Sequence, residues 1–291
     1  MNAANPFSDA VSIANSNYSR FDGRHLVNVD TGAQASELTG LVHDEIRALV
    51  LNDHFICVGG KSSLREGAYR FGLYSELGNA ASAAGLARDL YGFVGETASF
   101  GDAFSTYIAS FTGPHPANEL AFERDLWKTL QVLHDLDAPH HRWDPTVSDD
   151  PGDPRFSFSF AGTAFFVIGL HAASSRAARR FAWPTLIFNS HRQFETLRQS
   201  GEYTRFQRVI RAGEEQLQGA ANPMLADFGT RSEAAQYSGR RVEDTWRCPF
   251  RATKDTKGFS RHEAHEDDVF HVTGDTNGRS RQEQHEDDVS D

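Results

Sequence analysis

The sequence predicts an α+β fold in a single domain: a mixed or antiparallel sheet with amphipathic helices packed against it. Three observations predict it. Helical-period and strand-like segments follow one another without regular alternation, which disfavours a doubly wound parallel sheet. No Gly-x-Gly-x-x-Gly follows a strand-like run, so the dinucleotide-binding variant of that sheet has no support. The step Ala161-Gly162 separates two apolar, aromatic runs as the turn of a β-hairpin would.

Each element has its own pattern. Leu38, Leu41, Val42, Ile46, Leu49 and Val50 recur at helical spacing and predict a first amphipathic helix. Phe122, Leu126, Trp127, Leu130 and Leu133 predict a second, and Tyr203, Phe206, Val209, Ile210 and Leu217 a third. Runs rich in aromatic and branched residues predict strands at 69–74, 105–111, 156–160, 163–170 and 185–188.

Size and charge bound the function classes. A chain of 291 residues with 39% hydrophobic residues and 22 Phe can bury a substantial core. Its longest apolar run, 164–170, is strand-sized, so an integral membrane protein is not expected. The first residues lack the basic and apolar regions of a secretory signal, which points to the cytoplasm. Cys57 and Cys248 lie far apart without a Cys-x-x-Cys neighbour, so neither a zinc knuckle nor a disulfide framework is expected. A formal charge of −11 argues against nucleic acid as the main partner, because binding phosphates needs a basic surface.

Much of that acidity belongs to the end of the chain. From residue 252 to 291 there are 11 Asp and Glu against 5 Lys and Arg, a net −6 that leaves −5 for the rest. The same stretch repeats itself at an offset of twenty, with His-Glu-Asp-Asp-Val at 265–269 and again at 285–289. Two copies cannot build a solenoid. Composition predicts a disordered acidic tail, in which His265 and His285 lack the supporting shell that a functional metal site needs. The domain reading is an N-terminal arm at 1–37, a folded domain at 38–250 and the tail at 251–291.

The most unusual charge pattern lies between His171 and Arg211. It holds eight arginines, no lysine, and only Glu195 and Glu202 as acids. A guanidinium grips carboxylates or phosphates with a two-pronged fork that lysine lacks. The arginines after Arg198 alternate with core positions and read as a solvated helix face. Arg176, Arg179 and Arg180 directly follow a strand and His171, so a ligand and a solvated face are equally open for them. His171 ends the apolar run at 165–170, and His191 follows the run at 185–189. Side chains at strand ends are well placed to meet a cofactor, and a neutral imidazole is a common axial ligand of heme iron. A hydrogen-bonding structural role is the ordinary alternative.

Three blocks carry a resemblance. They are Gly169-Leu170-His171-Ala172-Ala173-Ser174-Ser175-Arg176-Ala177-Ala178-Arg179-Arg180-Phe181, Phe188-Asn189-Ser190-His191-Arg192-Gln193-Phe194-Glu195-Thr196-Leu197-Arg198, and Asn222-Pro223-Met224-Leu225-Ala226-Asp227-Phe228-Gly229. The last continues through Ser232-Glu233-Ala234-Ala235-Gln236-Tyr237 to Trp246-Arg247-Cys248-Pro249-Phe250, and weaker likeness extends upstream through Phe55-Ile56-Cys57 and Trp143-Asp144-Pro145. The chain resembles the YqcI/YcgG family over roughly 38–250. Characterised members of that family are heme proteins that hydroxylate guanidino nitrogens of arginine-like substrates. This chain departs from the family's usual His-Pro and Asn-Pro-His, reading His171-Ala172 and Asn189-Ser190-His191.

The resemblance implies a heme b pocket among the helices and a heme-dependent N-oxygenase that uses peroxide or dioxygen. Within the resembling blocks His171 is assigned as the iron ligand, with His191 its competitor and Cys248 the thiolate alternative. Arg176, Arg179 and Arg180 are assigned to the propionates. Glu195 and Glu233 are the carboxylates that would hold a cationic guanidine or amine, with a helix cap or a salt bridge as their ordinary reading. An electron donor and a homodimer are compatible with this assignment. Two rivals use the same residues: a heme-binding or heme-sensing protein without catalysis, and an anion-binding module without heme.

Overall fold

The computed structural model describes residues 4–253 apart from 54, 56, 102, 200, 202, 220–223 and 225–227. In chain order the elements are α1 (Ala10–Ala14), β1 (Ser19–Phe21), β2 (Leu26–Asn28), α2 (Glu37–Leu51), α3 (Val58–Glu66), β3 (Tyr69–Glu76) and α4 (Ala80–Glu96). There follow β4 (Thr106–Gly113), α5 (Glu119–Asp137), β5 (Phe158–Phe160), β6 (Thr163–Leu170), a 3-10 turn at Ala177–Arg179, β7 (Thr185–Ser190), α6 (His191–Gln199), α7 (Tyr203–Gln218) and α8 (Ala234–Tyr237). The fold is α+β, with one mixed seven-stranded sheet in the order β2-β1-β3-β4-β7-β6-β5.

Among the described strands only β3 and β4 run parallel, joined by the crossover helix α4, and the other ladders are antiparallel. The expected hairpin is present. Ala161 and Gly162 both take positive φ, 51° and 69°, which gives the tight turn a twist that matches the paired strands β5 and β6. Within the arm expected at 1–37, residues 10–28 supply α1, β1 and β2: β1 pairs with β3, and α1 packs on α4. The reason is burial. Phe7 and Tyr18 are core residues that a free arm would leave in water.

Strand alternation sends side chains to two cores. Tyr107, Ala109 and Phe111 of β4, Leu186 and Phe188 of β7, and Phe165 and Val167 of β6 join Phe122, Leu126, Trp127 and Leu130 of α5 on one face. Ile108, Ile187, Leu170 and Phe71 join Val42, Ile46 and Val50 of α2 on the other. The polar N-caps Ser36 and Asn118 start α2 and α5 by accepting the amides of Thr39 and Ala121. Among the described residues no helix is long and apolar enough to cross a membrane. The described chain remains docked beyond Phe250: Gln131 of α5 exchanges two hydrogen bonds with Arg251, and His134 accepts the Thr253 amide at 2.8 Å. The repeated tail lies outside the described residues.

Candidate functional site

The first residue past β6 continues the strand's alternation. Leu170 belongs to the α2 side, so His171 turns to the α5 side, where its imidazole stacks on Phe122 with ring centroids 4.2 Å apart. A Cβ on Gly169 would stand 2.5 Å from the Phe122 ring and 2.9 Å from the Tyr237 carbonyl, so only glycine lets the helix come this close. His171 is 0% exposed, and neither ring nitrogen has a hydrogen-bond partner among the described residues. Burial drives its pKa down to about 4, so the ring is neutral.

After His171 the chain turns back on itself: the His171 amide donates to the Arg179 carbonyl at 3.0 Å, and the Arg179 amide closes a 3-10 turn on the Arg176 carbonyl at 2.9 Å. Arg179 is buried, and its guanidinium donates to the Gly169 carbonyl at 3.1 Å. Arg180 is exposed and spends its donors on the Ser174 and Ser175 carbonyls of its own loop.

Two clefts adjoin and share Phe166, Phe194 and Ile210 in their walls, and the second lies on the α2 side of the sheet. The first is lined by Phe228, Tyr203, Arg198, Arg211 and Glu233 and covered by α6 and α7. Arg211, read from sequence as part of a solvated face, therefore borders a cleft, as does Arg198. The second, of about 160 Å³, is lined by apolar residues of β4, β6 and β7 together with Cys57, Arg176 and Arg179. Cys57 belongs to the weaker upstream likeness and has no role assigned from sequence. Its position at the start of α3, where its sulfur accepts the Gly60 amide at 3.3 Å, is visible only in three dimensions.

Glu233 and His191 meet at the first cleft. The Glu233 carboxylate, 6% exposed, accepts the Ser157 hydroxyl at 2.8 Å through Oε2, and its Oε1 lies 3.5 Å from His191 Nε2. The His191 ring packs against Phe228 with centroids 4.4 Å apart. His191 thus stands beside a carboxylate. Glu195 falls within α6, and its side chain lies outside the described residues. Cys248 packs beside the α5-side core, where burial pushes its thiol up to about 12.

A sequence model of the YqcI/YcgG family matches residues 46–251, more than two thirds of the chain and all of both clefts. The chain belongs to the YqcI/YcgG family. Searches among curated proteins and among solved structures found no significant match.

For this YqcI/YcgG protein the heme arrangement expected from sequence does not fit. The neutral, unpartnered His171 has the chemistry of an axial ligand, but it stacks on Phe122 on the α5 side, whereas Arg176 and Arg179 line a cleft on the opposite face and Arg180 lines neither cleft. A porphyrin cannot take its ligand from one face of a sheet and its propionate partners from the other.

Proposed function

We propose that this YqcI/YcgG protein is an N-oxygenase that hydroxylates a nitrogen of a small guanidine or amine in the cytoplasm. The observation that carries the substrate class is Glu233. Glu233 is a buried carboxylate at a cleft walled by Phe166, Phe194 and Phe228 and bordered also by Arg198 and Arg211, and it is the group there that suits a cationic nitrogen.

The chain's own residues bind, orient and exclude water. Ser157 donates a hydrogen bond that orients the Glu233 carboxylate, so that it meets the substrate with little reorganisation. The helices α6 and α7 cover the cleft. Oxygen activation by heme enters this reading through the family likeness alone.

The deciding experiment supplies heme to the full chain and incubates it with arginine, other guanidines and simple amines. One arm adds peroxide and another adds reductant with dioxygen. Mass spectrometry should find a product heavier by one oxygen, carried on nitrogen. Glu233→Gln should raise the apparent substrate constant by about tenfold or more, since a charge-assisted hydrogen bond contributes roughly 1.5–3 kcal/mol. Oxidation of carbon only, or of nothing in the panel, overturns the reading.

A further inference from the structure

The two clefts offer different chemistry. The first holds the Glu233 carboxylate, whereas no Asp or Glu stands among the described lining residues of the second. The neutral polar side chains along the second cleft are committed to the backbone. Ser63 donates to the Gly60 carbonyl, Thr106 to that of Phe188, Asn189 to that of Phe166 and Gln193 to that of Ser105. Arg176 and Arg179 also border it, the latter tied to the Gly169 carbonyl.

The rest of the second cleft is apolar, with walls that include Leu64, Ile108, Ile168 and Ile187. It measures about 160 Å³, close to the roughly 150 Å³ apolar cavity that accommodates one benzene ring. Its size therefore matches a single ring or a short branched chain. The clefts are neighbours across Phe166 of β6, Phe194 of α6 and Ile210 of α7, which wall both. Phe166 and Phe194 meet edge to face with centroids 6.1 Å apart, and both are half-buried, so neither ring is locked into the closed core. A molecule that reaches from Glu233 past these rings goes from a charged end to an apolar one.

We infer that the substrate is two-ended, a guanidine or amine carried on a ring-sized apolar body, with its cationic nitrogen at Glu233 and its body in the second cleft. This rests on the role proposed for Glu233 and narrows the substrate class. The apolar end sets such a molecule apart from arginine, whose α-carboxylate and α-ammonium would both lose water in an apolar space. A buried ring has no such cost and adds the favourable transfer of its whole surface out of water.

The test is calorimetric titration of the full chain with methylguanidine, with arginine and with phenylalkylguanidines whose linkers run from one methylene to four. At least one of the phenyl series should bind tenfold or more tightly than both methylguanidine and arginine. Ile168→Phe, which fills the second cleft from β6, should remove that advantage and leave methylguanidine unchanged. Ala178→Leu adds bulk to the same cleft from a half-buried position in the 3-10 turn and should do the same, which guards against a folding defect in the first variant. A phenyl series no tighter than methylguanidine or arginine, or an advantage that survives both substitutions, overturns the inference. The two readings fail separately. If Glu233→Gln weakens methylguanidine but the phenyl group adds nothing, the cationic end stands and only the apolar end falls. If methylguanidine binds the wild type and Glu233→Gln alike, the role of Glu233 falls and this inference with it.

Discussion

His171 and Arg179 are joined through their backbones, amide to carbonyl at 3.0 Å, yet one side chain stacks on Phe122 and the other lines the opposite cleft. If heme binds, its iron should therefore not depend on His171. The absorbance spectrum of protein reconstituted with hemin should be the same for His171→Gln and for the wild type. Loss or displacement of the Soret band in that variant would return the histidine to the iron.

Gly169 sets how closely α5 approaches β6. Gly169→Ala inserts a methyl 2.5 Å from Phe122 and should lower stability by about 1–3 kcal/mol, the usual cost of overpacking a filled core. Urea denaturation checks this. An unchanged midpoint would mean that α5 slides away freely.

His43 makes stability depend on pH. Arg47 donates to the Tyr69 hydroxyl oxygen at 2.9 Å, and the same hydroxyl is hydrogen-bonded to His43 Nε2 at 2.8 Å, deep in the α2-side core. Burial, opposed by Asp44, takes its pKa down to about 4 from the ordinary 6.5. The unfolded chain then binds more protons between these values, so His43 weakens the fold as pH falls from about 6.5 to 4, by up to about 1.4 kcal/mol per pH unit. Asp89 works the other way: burial raises it to about 6, so its contribution falls as pH rises through that window. Comparing urea curves of wild type and His43→Gln from pH 7 to 4 isolates the histidine. Parallel pH profiles would remove His43 from the account.

The folded chain reaches past Phe250. Truncation after Thr253 should leave the thermal midpoint unchanged, whereas truncation after Phe250 removes the bonds to Gln131 and His134 and should cost about 1–3 kcal/mol. A calorimetric scan of both proteins decides it, and equal midpoints would show that these bonds contribute nothing.

Periodicity made the well-patterned elements legible. The three expected helices correspond to α2, α5 and α7, and the five expected strands to β3 through β7. The helix α4 escaped because its first turns are Ala-Ala-Ser-Ala-Ala-Gly, small residues buried by close approach without an apolar stripe to announce them. With α4 unread, the one parallel pair, β3 and β4, was invisible too. The strands β1 and β2 are three residues each, too short to show alternation.

The candidate site was legible as a set of residues but not as a partition. The blocks around His171, Arg176, Arg179, His191 and Glu233 stand out in one dimension, and the family match covers all of them. Which of them share a cavity was not readable, since each depends on pairings between distant segments. Glu233 reaches His191 only because α8 packs on β6.

By itself the sequence determined the α+β class, the long amphipathic helices, the hairpin at Ala161-Gly162 and the family, because these follow from local periodicity, turn chemistry and contiguous motifs. Only the tertiary structure decided that His171 and the arginines face opposite ways, that Cys57 joins Arg179 at one cleft, and that residues 10–28 complete the sheet. The reason is that alternation along a strand assigns neighbouring residues to opposite faces, while the identity of each face is settled by which distant helix covers it.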